Sequence, residues 1–113
     1  MKVAMSVEQD SDNARVDERF GRCRYFAVVD TDTKSVTFVA NDASESSGAG
    51  VKAARALLKQ GIDAVIVGNI GPKAFEVLAR AGIPVYGGLT GTIQESLELF
   101  IQGKLGKMDM PNN

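Results

Sequence analysis

The stretch IDAVIVG (Ile62 to Gly68) constrains the fold more than any other part of the chain. It is apolar apart from Asp63, rich in β-branched residues, and carries no polar face. A strand of this kind is covered on both sides, and here it lies between two helical patterns. Ahead of it, VKAARALLKQG puts Val51, Ala54, Leu57 and Leu58 on one stripe, turns Lys52, Arg55 and Lys59 away, and stops at Gly61. Behind it, PKAFEVLARAG opens with proline at the first helical position and ends at Gly82. Helix, buried strand and helix are the repeating parts of α/β packing.

The flanking segments extend this pattern. KVAMSV alternates Val3, Met5 and Val7 and reads as a first strand. RYFAVVD and SVTFVA, joined by the short polar TDTK, read as a hairpin, with Val36, Phe38 and Ala40 sharing one face. IPVYG is a short last strand. Thr92 and Glu95 have the spacing of a capping box for a helix lined by Ile93, Leu97, Phe100 and Ile101. The order β-β-β-α-β-α-β-α predicts one domain over residues 1–103, a three-layer α/β/α sandwich around a five-stranded mixed sheet. KLGKMDMPNN (104–113) is expected to be a flexible C-terminal tail. The hairpin excludes a purely parallel dinucleotide-binding sheet, and neither G-x-G-x-x-G nor a G-x-x-x-x-G-K-S/T loop occurs.

Composition narrows the chemistry. The chain of 113 residues has no histidine and one cysteine, which removes histidine-based zinc sites, intrachain disulfides and the usual general base near neutral pH. With 13 basic and 14 acidic side chains the net charge is −1, and the charges are scattered. That gives no continuous positive field for nucleic acid. No apolar run is long enough to cross a membrane, and the opening run meets a charge at Glu8 too soon for a signal-peptide core. A lone cysteine suits a reducing compartment, so the cytoplasm is the expected location.

In open α/β sheets ligands bind beyond the C-terminal ends of the parallel strands. Four segments are expected to meet there: Glu8 to Glu18, SGAG (47–50), GNIGPK (68–73) and GGLTG (87–91). Glycines at helix starts leave backbone N–H groups open to an anion. The candidate binding residues are therefore Gly48, Gly50, Gly68, Asn69, Gly71 and Gly88, with Arg19, Arg22 and Arg24 as the densest basic cluster. Lys73 falls in a first helical turn, where a cation gains nothing from the helix dipole, and a ligand contact would explain it. Against this, glycines are common in tight turns for conformational reasons alone. The carboxylates Glu8, Asp10, Asp12, Asp17 and Glu18 complete no D-x-[DN]-x-[DN]-G pattern, since position 15 is Arg.

RFGRCRYF (Arg19 to Phe26) places Cys23 between two arginines and near two phenylalanines. Three roles are open to it. It can pack as a small apolar side chain, serve as a metal ligand, or react as a thiol whose pKa the arginines depress.

DERFGRCRYFAVVD, SSGAGVKAARALLKQGIDAVIVGNIGPKAFEVLARAGIPVY and the short last helix together resemble the dinitrogenase iron–molybdenum cofactor family, which includes NifX, NafY and the C-terminal part of NifB. The resemblance runs from Met1 to about Gly103, with family motifs on Phe20–Arg22, Gly48–Gly50 and Gly68, Gly71 and Pro72. It implies a ribonuclease-H-like fold. It also implies a non-catalytic binding or carrier protein for an iron–sulfur or iron–molybdenum cluster or its precursor, with Cys23 as candidate metal ligand and a cluster donor or acceptor protein as partner. A monomer or weak homodimer is expected. The alternative is an enzyme acting on a small anionic or nucleotide-like metabolite at the same strand ends.

Overall fold

The computed structural model describes residues 1–113. Five strands, β1 (Lys2–Val7), β2 (Tyr25–Asp30), β3 (Val36–Ala40), β4 (Ala64–Ile66) and β5 (Val85–Tyr86), form one sheet in the order β3-β2-β1-β4-β5. β1 and β2 are antiparallel, as are β2 and β3, while β4 runs parallel to both β1 and β5. Every strand except β2 therefore points the same way. The helices α1 (Ala49–Leu58), α2 (Pro72–Arg80) and α3 (Ile93–Ile101) each begin after one of those strands, at the same edge of the sheet.

The period-two alternation sorts the strand side chains into two cores. Ala4, Phe26, Val28, Val65 and Val67 face α1 and α2, where they meet Ala53, Ala54, Leu57, Ala74 and Leu78. Val3, Met5, Val7, Ala27, Val29, Ala64 and Ile66 face α3 and meet Ile93 and Leu97. β1 and β4 are thus buried on both faces, and the arrangement is the three-layer α/β/α sandwich with a mixed sheet.

Helix ends follow the sequence signals. Gly61 and Gly82 take left-handed φ values of 72° and 75° just beyond α1 and α2. α1 starts two residues before Val51, and Val51 itself is only half-buried, its place in the packed stripe taken by Ala53. Ile101, expected to line α3's apolar face, is 47% exposed.

The polar loop after β1 lies at the strand ends, its last residue Glu18 accepting the Asn69 N–H at 2.7 Å. It folds towards α3, with Val16 N–H donating to Gly91 O (2.9 Å) and Ile93 N–H to Ala14 O (3.4 Å). Residues 104–113, expected to be a flexible tail, are hydrogen-bonded along β5. Met108 N–H donates to Val85 O (2.8 Å), Gly87 N–H donates to Gly106 O (3.0 Å), and Tyr86 bridges Lys107. A two-residue edge strand leaves backbone groups unpaired, and this segment satisfies them.

Candidate functional site

A cavity of about 550 Å³ opens where α1 and α2 begin. Three short segments frame it: Arg19–Arg22, Gly48–Val51, and the β4–α2 connection with Asn69 and Gly71–Ala74. Asn113 closes one side. Arg19, Arg22 and Lys73 are in the lining, and no Asp or Glu side chain is.

Backbone contact sets the shape. A Cβ at Gly21 would lie 2.7 Å from Gly50 N and 2.8 Å from Gly50 Cα, so two main chains touch there. A Cβ at Gly50 would come 3.2 Å from that of Ala74, which brings the two helix starts together. Gly48, the N-cap of α1, is left-handed at φ 71°. Gly71, the N-cap of α2, differs from all of these. Its φ of −79° suits any residue, and nothing lies within 4 Å of where its Cβ would be. Neither conformation nor packing calls for glycine at that position.

Both helix starts are chemically open. Neither has a side-chain cap or an acidic residue in its first turn. The N–H groups of Ala49, Gly50 and Val51, and those of Gly71, Lys73 and Ala74, find no acceptor within the chain. Such groups carry the positive end of the helix dipole and receive anions.

The cations are not equivalent. Arg19 is tied up by Asp17, its Nε and Nη2 donating to the two carboxylate oxygens at 3.1 and 2.9 Å while its N–H donates to Oδ1 at 2.9 Å. Burial of Asp17 works against its charge, but the Arg19 hydrogen bonds and positive charge outweigh it and hold the carboxyl below its ordinary value. Arg22 Nη1 donates to the carbonyls of Ser44 (3.1 Å) and Ser46 (3.3 Å), pinning the loop before α1 without losing its charge. Lys73 is exposed and forms no ion pair.

Cys23 is not in the lining. It is fully buried in the α1/α2-side core behind Phe20, whose ring lies 5.3 Å from that of Phe26. Its Sγ donates to Phe20 O at 3.4 Å, and Asn41 Nδ2 approaches that sulfur at 3.8 Å while donating to Cys23 O and Gly21 O. Burial, with the Asp17 charge adding to it, pushes the thiol up to about 12. A thiol held protonated is a poor ligand and a poor nucleophile. Arg22 and Arg24 lie on the exposed side, so their charges do not reach it. Nowhere do three His, Cys, Asp or Glu side chains come together as a metal site.

Of the other candidates from the sequence, Arg19, Arg22, Gly48, Gly50, Asn69, Gly71 and Lys73 meet at the cavity, whereas Arg24, Gly68 and Gly88 do not line it. Gly68 is a contact glycine, with a Cβ there falling 2.8 Å from Glu18 Cα. Gly88, at φ 98°, seats the tail, since a Cβ would meet Leu105 Cδ2 at 2.9 Å. Val51, Ala74 and Asn113 line the cavity without having stood out in the sequence. Val51 and Ala74 follow from the helix starts, but Asn113 arrives by long-range pairing that no local pattern announces.

Comparison with known proteins gives the same fold. The apo form of the orange protein of Desulfovibrio gigas is 37% identical and superposes with a TM-score of 0.94, covering 99% of this chain and 96% of that one. A Thermotoga protein of the DUF35 family is 32% identical with a TM-score of 0.86, over 99% and 97% of the two chains. An uncharacterized protein of Methanocaldococcus jannaschii is 37% identical over 113 residues, 96% of this chain and 92% of its own. The family model described as dinitrogenase iron–molybdenum cofactor matches residues 1–103, the span that holds all five strands, all three helices and every cavity residue but Asn113. The chain belongs to the dinitrogenase iron–molybdenum cofactor family.

Proposed function

We propose that the cavity is a reversible receptor for an anionic iron–sulfur or iron–molybdenum cluster, or a precursor of one, which the protein carries between a donor and an acceptor protein. Gly71 is the observation that carries this reading. An unforced glycine at an uncapped helix start leaves room and N–H donors in a cavity lined by cations and by no acidic side chain. Sulfide-bridged clusters present a negatively charged surface of weak hydrogen-bond acceptors. N–H groups, Arg22 and Lys73 match that surface without a covalent ligand. Contacts of this kind exchange without bond breaking, as a carrier requires. The lining offers no Asp, Glu, His or Cys side chain to act as base or nucleophile, which favours binding over turnover. In this reading Cys23 supports Phe20 from below and does not touch the cargo.

The test is an anaerobic titration with iron–molybdenum cofactor extracted from a dinitrogenase, and separately with ferrous iron and sulfide, reading absorbance and bound iron per chain. The wild-type and Cys23→Ala proteins are expected to bind alike. A wild-type protein that takes up neither cluster would sink the carrier reading. Loss of uptake in a folded Cys23→Ala protein would return the thiolate to the ligand set.

A further inference from the structure

Asn112 and Asn113 lie at the rim of the cavity, and the Asn112 side chain fixes them there. Beyond the tail's pairing with β5, Asn112 turns its amide onto the β4–α2 connection. Its Oδ1 accepts the Ile70 N–H at 2.9 Å, and its Nδ2 donates to Gly68 O at 2.8 Å. These are the backbone groups on either side of Asn69. Asn69 itself is bonded to the opposite wall, with its N–H donating to Glu18 O at 2.7 Å and its carbonyl accepting Phe20 N–H at 3.2 Å. Asn69 is therefore clamped between the Glu18–Phe20 segment and the tail, and the next tail residue, Asn113, lines the cavity.

The two sides of this clamp differ in strength. The Glu18–Gly21 wall is backbone against backbone, close enough that only glycine fits at positions 21 and 68. On the tail side, residues 106–108 are paired with β5, and Leu105 and Met108 rest half-buried on Gly88 and Gly87. Beyond Met108, the only attachment to the β4–α2 connection is the exposed Asn112 amide. Exposed hydrogen bonds with little apolar burial open first in a native protein.

We propose that Asn112 is a positioning residue that latches residues 109–113 as a removable strap over the β4–α2 side of the cavity, and that its release controls how fast cargo enters and leaves. Latched, the strap fixes Asn69 and the chain that presents Gly71 and Lys73. Unlatched, it uncovers that edge of the cavity and leaves Asn69 held from one side only, by Glu18 and Phe20. A strap of this kind changes loading and release rates together, and equilibrium affinity less. The nature of the cargo rests on the carrier reading above, but the latch itself does not.

The experiment compares the wild type with Asn112→Ala and Asn112→Asp. Asp keeps an acceptor for Ile70 N–H and loses the donor to Gly68 O. Amide exchange at Ile70 should rise about tenfold or more in Asn112→Ala, with β1 amides unchanged, and rise in Asn112→Asp as well, because its second carboxylate oxygen would face the Gly68 carbonyl. Preloaded iron–molybdenum cofactor should leave Asn112→Ala about tenfold faster, with a smaller change in Kd because uptake also quickens. Unchanged exchange at Ile70 overturns the latch, and raised exchange with unchanged release overturns its control of the cavity. If the wild type takes up no cofactor, the carrier reading fails and the strap is judged by access alone. An anionic disulfide reagent should then label a Val51→Cys protein faster when Asn112→Ala is added, native Cys23 being buried and silent. Equal labelling rates overturn the proposal.

Discussion

The starts of α1 and α2 and the start of α3 lie at the same edge of the sheet and are finished in opposite ways. At α3, Thr92 Oγ1 accepts the Glu95 N–H at 3.3 Å and Glu95 Oε1 accepts the Thr92 N–H at 3.2 Å, so the chain supplies both the hydrogen bonds and the negative charge that a helix start attracts. At α1 and α2 the N-caps are glycines, no side chain reaches back, and the one charged residue of α2's first turn is a lysine. A good capping side chain is worth about 1 kcal/mol, and it is present on one side of the sheet only. The difference teaches that open starts are not a general habit of this chain. The two that are open face each other across the cavity, and an anion bound there would do for both what Glu95 does for α3.

The largest effect should come from giving α2 the kind of start that α3 has. Gly71→Asp adds a carboxylate where a Cβ meets nothing within 4 Å, so the fold should accept it, with stability unchanged or raised by a few tenths of a kcal/mol. Cluster affinity should fall about tenfold or more, because the new carboxylate repels an anion placed beside it and competes for the same N–H donors. Thermal melting and anaerobic titration on the same sample read both quantities. A Gly71→Asp protein that still binds as the wild type does would break the comparison at its centre. Gly21→Ala is the counterpart on the packed wall. Its Cβ would collide with the backbone of Gly50, and overpacking of this kind costs about 1–3 kcal/mol, visible as a lower denaturation midpoint. The two substitutions separate a glycine that the fold needs from one that it does not.

What the sequence made legible was local. Alternation at Val3, Met5 and Val7, the stops at Gly61 and Gly82, and the Thr92–Glu95 box are each read within a few residues, and each is found in the structure. The five-stranded mixed sheet between helix layers followed from their order. The site was only half legible, because a glycine does not say why it is there. Gly48, Gly50 and Gly71 border the cavity, but Gly68 makes room for Glu18 and Gly88 for Leu105, and those neighbours are 50 and 17 residues away. Cys23, left with packing, metal ligation and thiol reactivity all open, was ambiguous in a similar way. Its flanking arginines suggest an activated thiol, yet the alternation that exposes Arg22 and Arg24 turns Cys23 inward. The tail was invisible because LGKMDMPNN has no strand pattern, and its pairing depends on β5 being short and at the edge.

Thr92→Ala sharpens the comparison from the other side. Removing the α3 cap should cost about 1 kcal/mol, read from chemical denaturation, and leave cluster uptake unchanged. A protein that lost both would mean that α3's start communicates with the cavity, and the two kinds of helix start would no longer be independent.

Lys73→Met should have the smallest effect, and it tests the open starts most directly. Lys73 is exposed, forms no ion pair, and stands at the positive end of α2's dipole. There a cation costs rather than gains, by about 0.3–1 kcal/mol. Methionine keeps the stem and removes the charge, so the free protein should become slightly more stable. Cluster binding should weaken about three- to tenfold, and its dependence on salt should become shallower, because one screened attraction has been removed. Opposite signs for folding and binding are what a charge placed for a ligand produces. A lysine that is merely solvated would move neither, and a lysine that supports the fold would move stability downward. Only the first pattern fits a helix start left open for an anion.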